Sequence, residues 1–304
     1  MNIEQVQAAE DFSKARGKAI LSQIQHFLNI DKNRLLSFND VKNILKPKNE
    51  TYRGMQAVPI NLIVGSEGRY RDFNKYFLPN SDYLRSRWER VDMARLKDVI
   101  LPPIQLYEIG GVYFVRDGNH RVSVAKTQGI EMIDAEVTSL SSEITMTPSM
   151  NIDSLRQAVL GYEKSLFYEK TRFGEITGNG TLDFSLPGQY DVIYHHILEH
   201  KYFMNQERSG EILFDEAVRS WYEKVYEPII KIIKTERLYA RFPGRTPSDL
   251  YVWIVKHWDF LKKKYKVYSI SDAARDFTQR YGKNRGGFLP RIAALLNRIF
   301  KFNR

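Results

Sequence analysis

Residues Val112 to Lys126, with the sequence VYFVRDGNHRVSVAK, leave the backbone few choices: a strand, a tight turn and a helix. Val112 to Val115 is a short apolar, β-prone run that follows Gly110-Gly111. Asp117-Gly118-Asn119 is turn chemistry, because glycine takes backbone angles closed to other residues and Asp and Asn tolerate them. From His120 onward the apolar positions Val122, Val124 and Ala125 predict a helix. A strand that feeds a glycine turn and then a helix leaves unpaired backbone N–H groups pointing at one place, and the helix dipole favours an anion there. His120 and Arg121 add two potential cations on the same first turn. On the local pattern two readings stand: a phosphate site, or an ordinary strand-turn-helix corner with a solvated Arg121.

The rest of the chain supplies the frame. Near-helical spacing of Val6, Ala9, Phe12, Ala15, Ala19, Ile20, Ile24 and Phe27 predicts a long helix over 3–29. A second helix is expected after Ser37-Phe-Asn-Asp40, a capping box with Asp in place of Glu, and Lys46-Pro-Lys-Asn ends it. A strand is expected over 56–64, with Pro59 near its start. The loop after it carries Glu67, Arg69, Arg71 and Asp72, a functional loop or a solvated turn. A helix over 81–97 has Leu84, Trp88 and Val91 along one stripe and Arg85, Arg87 and Arg90 beside it, a solvated face or a basic patch for nucleic acid. Ile104 to Ile109 and Val112 to Val115 predict a hairpin across Gly110-Gly111, and Met132 to Thr138 a last strand.

The fold expected is therefore α+β, with a helical arm over 1–50, a compact domain over 51–145 and a mainly helical domain over 146–304. In the third segment, helices are expected over 155–171, 189–204, within 210–234, over 246–264 and over 271–280, with a Gly-rich loop or small hairpin over 174–187. Thr246-Pro-Ser-Asp249 is a strong helix start. His196-Ile-Leu-Glu-His200 fits an inverted zinc-peptidase pattern, but nothing downstream nominates a third ligand, and packed aromatic neighbours favour a structural helix. The tail from Lys283 to Arg304 has six basic residues and no acidic one. It reads as a docked terminal helix, or as a basic amphipathic helix for a membrane surface or nucleic acid.

Composition bounds the function. With no cysteine, disulfides, thiolate metal sites and thiol catalysis are excluded, and a cytoplasmic location is expected. No apolar run is long enough to span a bilayer, and no secretory signal is expected at the first residues. A net charge of +10 on 304 residues points to an anionic partner: nucleotide, DNA or membrane surface. The standard P-loop, dinucleotide and kinase signatures do not occur.

Over 57–138 the chain resembles the ParB/sulfiredoxin superfamily. The resemblance rests on Val58-Pro-Ile60, the basic loop and helix after it, Pro102-Pro-Ile104 before the hairpin, the box Asp117-Gly-Asn-His-Arg121, and the closing strand Ile133–Val137. The box is similar to the D-G-x-H-R form of free-serine-kinase-like members. The resemblance implies nucleotide phosphates held by Gly118, Asn119, His120 and Arg121, with Arg69 or Arg71 offsetting charge. It further implies Glu67 as a base, Asp117 orienting His120 or Mg2+, and ATP, ADP or CTP as ligand. Asn119 stands where sulfiredoxin has its cysteine, which rules out sulfinic acid reduction. The activity implied is that of a nucleotide-dependent phosphotransferase or an NTPase. The alternative is a nucleotide-responsive, DNA-binding transcriptional regulator.

Overall fold

The computed structural model describes residues 2–25, 33–178, 180–206, 210–235, 237 and 242–265. The expected helix over 271–280 and the basic tail lie outside the described residues. The fold is α+β, in two compact units that divide between Val159 and Leu160.

The first unit is built on a six-stranded sheet of order β1-β3-β5-β4-β6-β2. Its strands are β1 (Leu36–Ser37), β2 (Glu50–Pro59), β3 (Ile63–Ser66), β4 (Ile104–Ile109), β5 (Val112–Asp117) and β6 (Met132–Leu140). β4 and β5 form the expected hairpin, with Gly110 and Gly111 at φ 63° and 88°. β3 runs parallel to both β1 and β5. The single strand expected over 56–64 is two strands in different parts of the sheet. Pro59 ends β2, Ile60–Leu62 makes one 3-10 turn, and the chain re-enters as β3. A proline cannot donate to a ladder, so a strand running through it would lose a bond there.

Alternation along the strands builds two cores. Ile63, Leu106, Val115 and Val137 face one side, beneath α1 (Ile3–Gln25), α3 (Arg85–Leu96) and α4 (Asn119–Thr127). Val64, Ile109, Phe114 and Leu140 face the other, under α2 (Phe38–Leu45) and the start of α5 (Ile152–Thr171). Ser37 caps α2 as expected, its Oγ accepting from Asp40 N at 3.4 Å. The expected boundary at 145/146 differs from the observed one because Met146, Leu155 and Val159 are buried in this second core. At Gly65 an added Cβ would overlap the Leu36 carbonyl of β1 and fall 2.5 Å from the Phe114 ring, so only glycine lets β1 approach β3 this closely.

Two buried polar features hold the first unit. Trp88 Nε1 donates to Ser123 Oγ at 2.8 Å, and that hydroxyl donates to the Phe77 carbonyl at 2.6 Å. Phe77 is fully buried at φ 59°, a left-handed conformation that costs a bulky residue about 1–3 kcal/mol. Ser123→Ala would strand the indole N–H and release the carbonyl that fixes this conformation. The expected loss is about 2–4 kcal/mol, read by denaturant unfolding.

The second feature is Asp92, fully buried on α3. Burial pushes its carboxyl up to about 6, Asp11 adds to the rise, and a hydrogen bond from Gln128 and the charge of Arg95 oppose it. The folded state therefore holds this proton more tightly than the unfolded chain. Its contribution to stability is fully present below about pH 4 and is lost as pH rises through 6. Asp92→Asn is expected to be more stable than the parent by about 1–3 kcal/mol at pH 7.5 and equal to it near pH 4. Melting temperatures across that range check it.

The second unit is helical: the rest of α5, α6 (Phe173–Ile176), α7 (Gln189–Gln206), α8 (Phe214–Trp221), α9 (Glu227–Thr235) and α10 (Pro247–Tyr265) around one aromatic core. α8 passes into α9 through a π-helical turn, Tyr222–Tyr226. Thr246 starts α10 with a reciprocal box: its Oγ1 accepts from Asp249 N at 3.1 Å, and Asp249 Oδ2 accepts from Thr246 N at 2.8 Å. Over 174–187 the described residues contain no strand, so the small hairpin considered there does not form.

Candidate functional site

β3 and β5 are parallel neighbours, so the loops that leave their carboxyl ends emerge together, where open sheets with parallel strands commonly bind ligands. Beyond β5 the chain turns at Gly118 and starts α4. Gly118 sits at φ 108° and ψ 20°, and an added Cβ would lie 2.9 Å from Ile104 Cβ with Ile104 Cγ2 closer still. The first turn of α4 directs the N–H groups of Asn119, His120 and Arg121 outward, since no earlier helical carbonyl reaches them.

The structure splits the two expected cations of this turn. Arg121 is a strut: its guanidinium donates to the carbonyls of Pro102 and Pro103, the latter at 2.9 Å, and pairs with Asp117. The Asp117 carboxylate is thus bound to Arg121 rather than orienting His120. His120 is 5% exposed, and its ring meets Phe73 edge to face at 5.4 Å. Burial pushes His120 down to about 4, the guanidiniums of Arg87 and Arg69 push the same way, and Asp72 opposes them. At neutral pH it is an uncharged imidazole.

The cations whose charge acts on His120 are Arg69, expected from the sequence, and Arg87, which sequence reasoning placed on a solvated face or a nucleic-acid patch. Both are solvent-exposed. Arg69 pairs with Asp72 at 2.9 Å, and the other carboxylate oxygen of Asp72 accepts from the Tyr83 hydroxyl. That bond raises the Tyr83 pKa, with burial adding to it. Arg71 extends over the Tyr70 ring, 5.6 Å from its centroid, and is not among the charges acting on His120. Glu67 donates its N–H to the Val115 carbonyl at 3.0 Å, and its charge acts on Tyr107, on the opposite face of the sheet.

Two polar atoms at the start of α4 have no partner: Asn119 Oδ1 and His120 Nδ1, on side chains 7% and 5% exposed. One residue along from Phe73, buried Asn74 leaves its Nδ2 unpaired as well, while its Oδ1 accepts from Tyr76 N and Leu78 N at 3.0 Å. Buried groups without partners cost about 1–3 kcal/mol each and call for an explanation.

The histidine pair of the second unit is engaged within its bundle. His200 Nε2 lies 3.0 Å from Ser220 Oγ and His196 Nδ1 lies 3.4 Å from the Tyr251 hydroxyl. Burial pushes both histidines down to about 4. Among the described residues no group of three or more His, Asp or Glu is arranged to hold a metal ion. No helix among them is long and apolar enough to cross a membrane. Comparison with protein-family models, with curated proteins and with solved structures finds no match.

Proposed function

We propose that this protein binds a nucleotide or a similar phosphate ester at the start of α4. The observation that carries the reading is the pair of buried, unpartnered atoms, Asn119 Oδ1 and His120 Nδ1, at a helix N-terminus within the electrostatic reach of Arg69 and Arg87. The amide N–H groups of the first turn would cradle the phosphate oxygens, and the helix dipole would favour their charge. A neutral His120 can donate one N–H to an oxyanion, and Asn119 can donate through its amide once its two amide atoms exchange places. Arg69 and Arg87 would neutralise the ligand from the solvent side. The resemblance of Asp117–Arg121 to the phosphate-gripping box of the ParB/sulfiredoxin superfamily supports the same ligand class.

These placements favour a phosphate that is bound over one that is transferred. Glu67, the carboxylate expected as base, acts on the far face of the sheet. The carboxylate that acts on His120 is Asp72, already held by Arg69 and Tyr83. The test is a thermal-shift and calorimetric screen of ATP, ADP, CTP and inorganic phosphate, with and without Mg2+. A ligand that binds only the folded state gives a saturable rise in melting temperature. No rise and no heat with any of them would end the proposal.

A further inference from the structure

A cavity of about 1250 Å3 opens at the sheet edge where β1 meets β3. β1 pairs with Gly65 and Ser66 and stops there. Before its start the Ile63 carbonyl, unpaired by β1, accepts from Lys126 Nζ at 2.9 Å. Lys18, Arg34, Lys75, Lys126 and Arg156 line the cavity against two carboxylates, Asp40 and Asp153, and Asp153 is already paired with Arg156 at 3.2 Å. The rest of the wall is largely aliphatic, including Leu36, Ile60, Leu78, Ile130, Met150 and Ile152. We propose that this cavity binds an amphipathic anion, a carboxylate or phosphate head on an aliphatic chain, with the head at Lys126 and Lys75 and the chain along the aliphatic wall.

Lys126 carries the argument. Its ammonium has one carbonyl acceptor and sits over the Phe77 ring, 4.8 Å from the centroid. Burial pushes it down to about 8, and no carboxylate offsets that cost. A half-buried cation without a counter-charge is unfavourable, and an arriving anion supplies that charge. The cavity far exceeds a bare phosphate, so the ligand has a body. Aliphatic walls suit a flexible chain better than a planar base. The two tyrosines of the lining each carry a cation over the ring, Arg71 at 5.6 Å on Tyr70 and Lys75 at 4.9 Å on Tyr76. The site is separate from the start of α4, since Lys126 lies about 9 Å further along that helix from His120.

The experiment is calorimetric titration of the full chain with dodecanoate, dodecanol and inorganic phosphate, below the micelle threshold. Dodecanoate is expected to bind saturably, with dodecanol and phosphate each at least tenfold weaker. Lys126→Met should weaken dodecanoate at least tenfold while keeping or raising the melting temperature, because it replaces a half-buried cation with an apolar chain of similar length. Lys75→Ala also weakens it and does not depend on how Lys126→Met folds. Arg87→Ala leaves it unchanged. Absence of dodecanoate binding, or equal binding by parent and both cavity variants, overturns the proposal. So does ATP that displaces dodecanoate and loses affinity in Lys126→Met, which would give the cavity to a nucleotide.

Discussion

Gly118→Ala is expected to destabilise the first unit by about 2–5 kcal/mol. A left-handed backbone costs an alanine about 1–2 kcal/mol, and forcing a methyl into packed side chains costs about 1–3 more. Both apply here: Gly118 is at φ 108°, and its added Cβ would overlap Ile104, fully buried on β4. The neighbour cannot swing away, because Ile104 packs in the core beneath α4. The substitution also pushes the α4 start away from the Pro102–Pro103 corner to which Arg121 ties it. Denaturant unfolding of parent and variant reads the loss, and a change below about 1 kcal/mol would show that the turn is not constrained as described. Arg121→Ala should act the same way, on the scaffold, and weaken ligand binding only as far as it loosens the turn.

The second large effect falls on binding. Removing Arg69 and Arg87 together is expected to lower affinity for a phosphate ligand about 30- to 900-fold. That corresponds to about 1–2 kcal/mol for each charge-assisted contact at a solvent-exposed site. The loss of Arg69 is compounded by Asp72, which then faces the phosphate without its guanidinium partner. Arg71→Ala is the control, since that side chain lies over Tyr70 and does not act on His120. Arg69 and Arg71 sit two residues apart on one loop, yet their effects should separate cleanly. Raising the salt concentration should erode the parent's affinity and leave the double variant little changed.

How much of this was legible in the sequence depends on the range of the forces involved. Strand, turn and helix at 112–127 follow from local chemistry, as do the cap at Ser37, the hairpin glycines and the start of α10. What a residue does once folded depends on partners far along the chain. Arg121 looked free because Pro102 and Pro103 lie 19 and 18 positions away. His120 looked like a cation because its burial against Phe73 is a tertiary fact. Arg87 sits among other arginines on an exposed helix face, and nothing local distinguishes it from Arg85 or Arg90. The division of 50–66 into two strands had a local signal, Pro59, but the topology that sends them to different sides of the sheet did not. The boundary at Val159 was hidden because Leu155 and Val159 are ordinary helix residues until the second core claims them.

The most direct test of the phosphate site is a calorimetric titration of ATP and of inorganic phosphate into the parent, Arg87→Ala and Arg71→Ala at low salt. The site at the start of α4 predicts saturable binding of at least one of these ligands by the parent. It predicts about a 5- to 30-fold loss in Arg87→Ala and parental affinity in Arg71→Ala. A folded parent that binds neither ligand, or an Arg87→Ala that binds as the parent does, would contradict it.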